Sequence, residues 1–103
     1  MYYIEYLPSA QRELVSISRY ISHELCNPDA ANRLAENIID SIDTLCRFPY
    51  AHPVYIPIRP LPYEYRKFPV QNYMIFYRVD EENKKVIIAH IIYGKRNSDA
   101  LLK

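Results

Sequence analysis

Five of the cations in the second half of this chain, together with two proton-carrying side chains, are candidates for binding or catalysis. They are Arg66, Lys67, Arg78, Lys95 and Arg96, with His90 and Tyr93 close to the last two. Cations among flat tyrosine rings suit phosphate groups, and the rings can stack on bases. An acidic protein surface is the other natural partner for such a patch. A histidine or tyrosine beside such cations can also carry protons. A lone histidine in a strand is, however, more often a satisfied sheet residue. Tyrosines at strand spacing are usually ordinary sheet residues too.

Charge supports a partner for this half. The net charge is +1, yet residues 1–58 hold four basic and seven acidic side chains, giving −3. Residues 59–103 hold nine basic and five acidic, giving +4. Other chemistries are not encoded. There is one glycine, Gly94, so glycine-rich nucleotide loops are excluded. No carboxylate pair or Ser-His-Asp pattern is visible. His23-x-x-Cys26 and Cys46-x5-His52 do not match common zinc spacings. The expectation is two partly buried, reduced cysteines, no metal and no cofactor.

The elements that would position these residues follow from periodicity. Tyr2 to Leu7 reads as a strand, stopped by Pro8. Ser9 is placed to cap a helix whose stripe is Ala10, Leu14, Ile17, Ile21 and Leu25. Asn27 caps a second helix, with Pro28 at its first position and Asp29 at the positive end of its dipole. Its stripe is Ala31, Leu34, Ile38, Ile42 and Leu45. Five prolines between 49 and 62 make a stiff loop. Strands are then expected over Tyr63–Phe68, Tyr73–Val79 and Val86–Tyr93, with turns at Pro69–Asn72 and Asp80–Lys84. The helix stripes need an apolar face, and the sheet supplies it. The fold class is α+β: a two-layer β-α-α-β-β-β domain, residues 1–103, with a helical hairpin on a mainly antiparallel sheet.

Alternation places Glu64, Arg66 and Phe68 on one side of their strand, and Tyr65 and Lys67 on the other. Met74, Phe76 and Arg78 alternate with Tyr73, Ile75, Tyr77 and Val79. His90 is expected on the side of Ile88 and Ile92. The face away from the helices is expected to carry a basic, aromatic-edged groove. Gly94 is expected to take a positive φ or admit a close approach, turning Lys95 and Arg96 toward that groove. No apolar run is long enough to span a bilayer, and the N-terminus lacks a secretory pattern, so a cytoplasmic location is expected.

The stretch YRKFPVQNYMIFYRVDEENKKVIIAHIIYGKRN resembles the C-terminal half of RelE/ParE-superfamily toxins of bacterial type II toxin–antitoxin systems. The N-terminal half is similar as well, with its strand, two helices and Asn-Pro and Phe-Pro landmarks. The resemblance implies a toxin that arrests growth, as in plasmid stabilisation, and a cognate antitoxin. RelE-like members are ribosome-dependent endoribonucleases (mRNA interferases) that need no metal. ParE-like members inhibit DNA gyrase. Lys67 and Arg96 match two basic positions of the RelE-type site. Met74, however, replaces an arginine of that pattern, and Leu102 stands near its terminal tyrosine. Tyr93 or His90 would have to substitute as acid or base. The resemblance therefore points to a gyrase inhibitor ahead of a ribonuclease that cuts ribosome-bound mRNA. A third reading is a non-toxic interaction domain. A homodimer and a toxin–antitoxin hetero-oligomer both stay open.

Overall fold

A computed structural model describes residues 1–94. Lys95, Arg96 and Leu102 lie outside the described residues. The order is β1 (Tyr3–Tyr6), α1 (Pro8–Arg19), a π-helical turn (Tyr20–Glu24), α2 (Pro28–Asp43), a 3₁₀ turn (Thr44–Cys46), β2 (Arg66–Val70), β3 (Tyr73–Asp80) and β4 (Lys85–Tyr93). The four strands form one sheet in the order β1-β4-β3-β2. β1 runs parallel to β4, and the other neighbours are antiparallel. The expected two-layer α+β fold is present, with a mixed sheet.

The α2 stripe does what its spacing requires. Leu34, Ile38, Ile42 and Leu45 are buried in one core with Phe68, Val70, Ile75, Tyr77, Val86, Ile88 and Ile91 from the sheet. Asn27 caps α2 as expected: its Oδ1 accepts from the Ala30 N–H at 3.1 Å. α1 departs from its stripe at the end. The π turn inserts a residue into the helical phase, so Leu25 leaves the core and is 57% exposed. Cys26 follows in the left-handed region (φ 50°) and is exposed, not partly buried; Cys46 is half-buried.

Ser9 does not cap α1. Leu7 holds the cap position, and Ser9 Oγ donates instead to the Ala89 carbonyl at 2.7 Å. The reason lies in the short β1, which pairs with β4 only from Lys85 to Ile88. Beyond Ile88 the edge of β4 needs other partners, and α1 supplies them. Glu13 Oε1 accepts from the Ile91 N–H at 3.1 Å. Four residues of helix rise about 6 Å and two residues of strand about 6.6 Å. Ser9 and Glu13 are thus spaced to meet Ala89 and Ile91.

Other boundaries moved. β2 begins at Arg66 and includes Pro69, which an edge strand tolerates because it needs no N–H on its outer side. The turn shrinks to Gln71-Asn72, with Gln71 at φ 54°. The proline-rich loop lies along the outer edge of β2. Tyr55 N–H donates to Tyr65 O at 2.7 Å, and Lys67 N–H to Pro53 O at 3.2 Å. Gly94 has no positive φ. Its N–H donates to Asn72 O at 2.9 Å, and an added Cβ would stand 3.4 Å from that oxygen, an ordinary contact. Neither a positive φ nor a close approach of backbone among the described residues requires glycine there.

Candidate functional site

The predicted residues fall in three places. Arg66 lies opposite Tyr77 and so belongs to the helix-side row, while Lys67 lies opposite Phe76 on the other face. Arg78 alternates with Tyr77, as expected. Arg66 and Arg78 both line a cleft of about 170 Å³, with Tyr50, Tyr63, Glu64 and Val79. Each guanidinium lies on a ring: Arg66 Cζ is 5.0 Å from the Tyr50 centroid and Arg78 Cζ 4.0 Å from that of Tyr63. Arg66 also donates from Nη1 to His52 O at 2.8 Å and bridges Glu64 at 3.5 Å.

The face away from the helices is not an open groove. Phe76 and Ile92 are buried there, with Tyr55, Leu61, Tyr65 and Met74 packed against them. The stiff loop folds its own apolar side chains over the sheet because these strands carry apolar residues on both faces. Lys67 survives at this border, with Nζ 5.2 Å from the Tyr55 centroid.

His90 and Tyr93 stand elsewhere. A bulge shifts the β3–β4 register: Phe76 faces His90 but Tyr77 faces Ile88, so Ala89 is the extra residue. His90 therefore shares a face with Ile92 and not with Ile88, correcting the simple alternation. Its Nδ1 lies 3.0 Å from Glu13 Oε2 on α1. His90, Glu13 and Tyr93 line a groove of about 950 Å³ between α1 and the β4 edge, together with Tyr20 and Tyr73. Tyr93 and Tyr73 meet edge to face, centroids 5.9 Å apart. Burial pushes the Tyr73 phenol up.

One polar knot escaped the sequence. Glu81 accepts from Tyr2 OH (2.7 and 2.9 Å) and Tyr50 OH (2.5 Å), and pairs with Lys84. Lys84 first, then the two phenols, hold its carboxyl down at about 2. The same bond, with Glu81 as acceptor, pushes Tyr50 up to about 12. Nothing in the local sequence announces this knot, since Tyr2 and Tyr50 are far away along the chain. His52, stacked on Phe68 at 4.3 Å, is held below its ordinary value by burial.

The chain is thus a two-helix layer on a mixed four-stranded sheet, with arginines and tyrosines at one end and a helix–strand groove at the other. The chain matches, over residues 4–98, the family described as ParE toxin of type II toxin–antitoxin system, parDE. It belongs to that family and is a toxin of a type II toxin–antitoxin system. Similar folds occur among solved structures, these three included. The chromosomal ParDE system from P. aeruginosa has a TM-score of 0.71 at 17% identity, covering 90% of this chain and 96% of that one. The toxin–antitoxin complex RelBE2 from Mycobacterium tuberculosis has a TM-score of 0.63 at 18% identity, covering 89% and 96%. The archaeal RelE–RelB complex from Pyrococcus horikoshii OT3 has a TM-score of 0.60 at 16% identity, covering 93% and 98%. No curated protein sequence gives a significant match.

Proposed function

We propose that this toxin is a ParE-like inhibitor that acts by binding DNA gyrase, and that it does not cut RNA. The observation that carries this reading is the separation of the groups a ribonuclease would need together. Lys67, Phe76 and His90 form one cross-strand row. Strand spacing puts the Lys67 and His90 backbones about 10 Å apart, with the buried Phe76 ring between them. Lys67 turns to Tyr55, and His90 turns to Glu13. Tyr93 lines the α1–β4 groove, away from the Arg66–Arg78 cleft. General acid–base catalysis needs its proton carrier within hydrogen-bond reach of the reacting phosphate. A binding protein has no such requirement.

On this reading Arg66, Lys67 and Arg78, with Lys95 and Arg96 beyond the described residues, contact the target. A cognate antitoxin holds the toxin inactive, in keeping with the similar folds found in toxin–antitoxin complexes. Gyrase places the action in the cytoplasm. No described helix is long and apolar enough to cross a membrane. The test is to titrate the purified chain into a gyrase supercoiling reaction and, in parallel, into ribosomes translating a defined mRNA. Loss of supercoiling with intact mRNA is expected. Cleaved mRNA with unaffected gyrase would overturn the reading.

A further inference from the structure

We propose that the cleft between Arg66 and Arg78 is a phosphate-binding site, taking inorganic phosphate or the terminal group of a phosphate ester. This inference does not depend on which macromolecule the toxin inhibits. Two guanidiniums line one cleft of about 170 Å³, room for a phosphate group. Both are set in place without using all their donors. Arg66 rests on Tyr50 and spends Nη1 on the His52 carbonyl. Arg78 stands over the Tyr63 ring, and among the described residues no side chain forms an ion pair with it.

The geometry favours phosphate over carboxylate. A carboxylate has two oxygens, which a single guanidinium fork satisfies. Glu64 already occupies that role, loosely, at 3.5 Å from Arg66 and with its side chain 66% exposed. A carboxylate there leaves Arg78 unanswered. Phosphate offers three or more acceptor oxygens in a tetrahedral array and can answer both forks at once. The other nearby acids have partners of their own: Asp80 bonds Asn83 and feels Arg78 and Lys85 only as nearby charges, and Glu81 bonds Tyr2, Tyr50 and Lys84. Glu64 is therefore a weak internal competitor that an incoming dianion displaces.

The experiment follows backbone amide shifts of the full chain during titration with sodium phosphate at constant ionic strength. Glycerol phosphate and sodium acetate serve as parallel arms. Saturable shifts are expected at residues 63–66 and 78–79 with phosphate and not with acetate. Arg78→Gln is expected to weaken binding by about tenfold or more, and Glu64→Gln to tighten it several-fold, both at an unchanged melting temperature. Binding of glycerol phosphate as tightly as phosphate supports the proposal and assigns an ester ligand; preference for phosphate supports it and assigns the free ion. Equal effects of acetate and phosphate, unsaturable shifts, or unchanged affinity in a folded Arg78→Gln protein would overturn the proposal. If Arg78→Gln does not fold, weaker or unchanged binding by Glu64→Gln overturns it equally.

Discussion

Removing Glu13 should loosen α1 from the sheet. This carboxylate accepts from the Ile91 N–H and meets His90 Nδ1, with side-chain exposures of 21% for Glu13 and 15% for His90. Glu13→Ala leaves a largely buried backbone donor without its partner, costing about 1–3 kcal/mol. Loss of the His90 contact adds to this, for a total of about 2–4 kcal/mol, since hydrogen bonds to charged groups contribute about 1.5–3 kcal/mol each and overlap here. In a domain of this length, 1 kcal/mol shifts the melting temperature by about 4–8 °C. The melting temperature should therefore fall by roughly 8–32 °C. Glu13→Gln keeps one acceptor oxygen and should lose about half as much free energy. Urea unfolding of both variants supplies the free energies, and amide exchange supplies the locus: the Ile91 amide should lose protection more than Ile75 does. A double-mutant cycle with His90→Ala should return a coupling of about 0.5–3 kcal/mol. A Glu13→Ala protein within about 0.5 kcal/mol of wild type, the range of ordinary surface substitutions, would refute the claim that α1 completes the β4 edge.

Ile38 is fully buried, so Ile38→Ala should cost about 2–5 kcal/mol in urea unfolding. Glu81 has its carboxyl depressed from 4.5 to about 2 in the folded chain, so its contribution is present above the unfolded value and is lost as pH falls. The stability difference between wild type and Glu81→Gln, followed by melting temperature, should be constant above about pH 5 and shrink as pH falls toward 2. His90→Gln and Tyr93→Phe should keep full toxicity when expressed as folded protein, and a large loss in either would favour proton transfer over binding. Arg96→Ala should strongly reduce toxicity at an unchanged melting temperature, and Arg96→Lys should be partly active, because a lysine does not reproduce the planar donor fork.

Periodicity made the helices and the core readable. Leu34, Ile38, Ile42 and Leu45 recur at helical spacing and are buried together. The Asn27-Pro28 start was legible because capping is local chemistry. What escaped depends on contacts between distant parts of the chain. Leu25 fits the stripe in sequence, but the π turn before it rotates the helix phase. His90 fits a simple alternation, but the bulge at Ala89 moves it to the other face. Arg66 and Arg78 were recognisable as candidate ligands, yet only the fold shows that they share a cleft while Lys67 faces away. Ser9 and Glu13 carry a visible i, i+4 spacing, but their partners are the β4 backbone, which has no side-chain signature. The covered outer face was hidden because a proline-rich stretch reads only as a stiff loop, whereas Tyr55 and Leu61 pack back against Phe76 and Ile92.

Gyrase inhibition by binding is the proposed function of this toxin. Its most direct test is controlled expression of the toxin in cells, with DNA-damage signalling and mRNA decay measured side by side from the moment of induction. Early DNA-damage signalling is expected, with mRNA half-lives and cleavage patterns unchanged until growth has stopped. Immediate ribosome-dependent mRNA cleavage without DNA-damage signalling would contradict it.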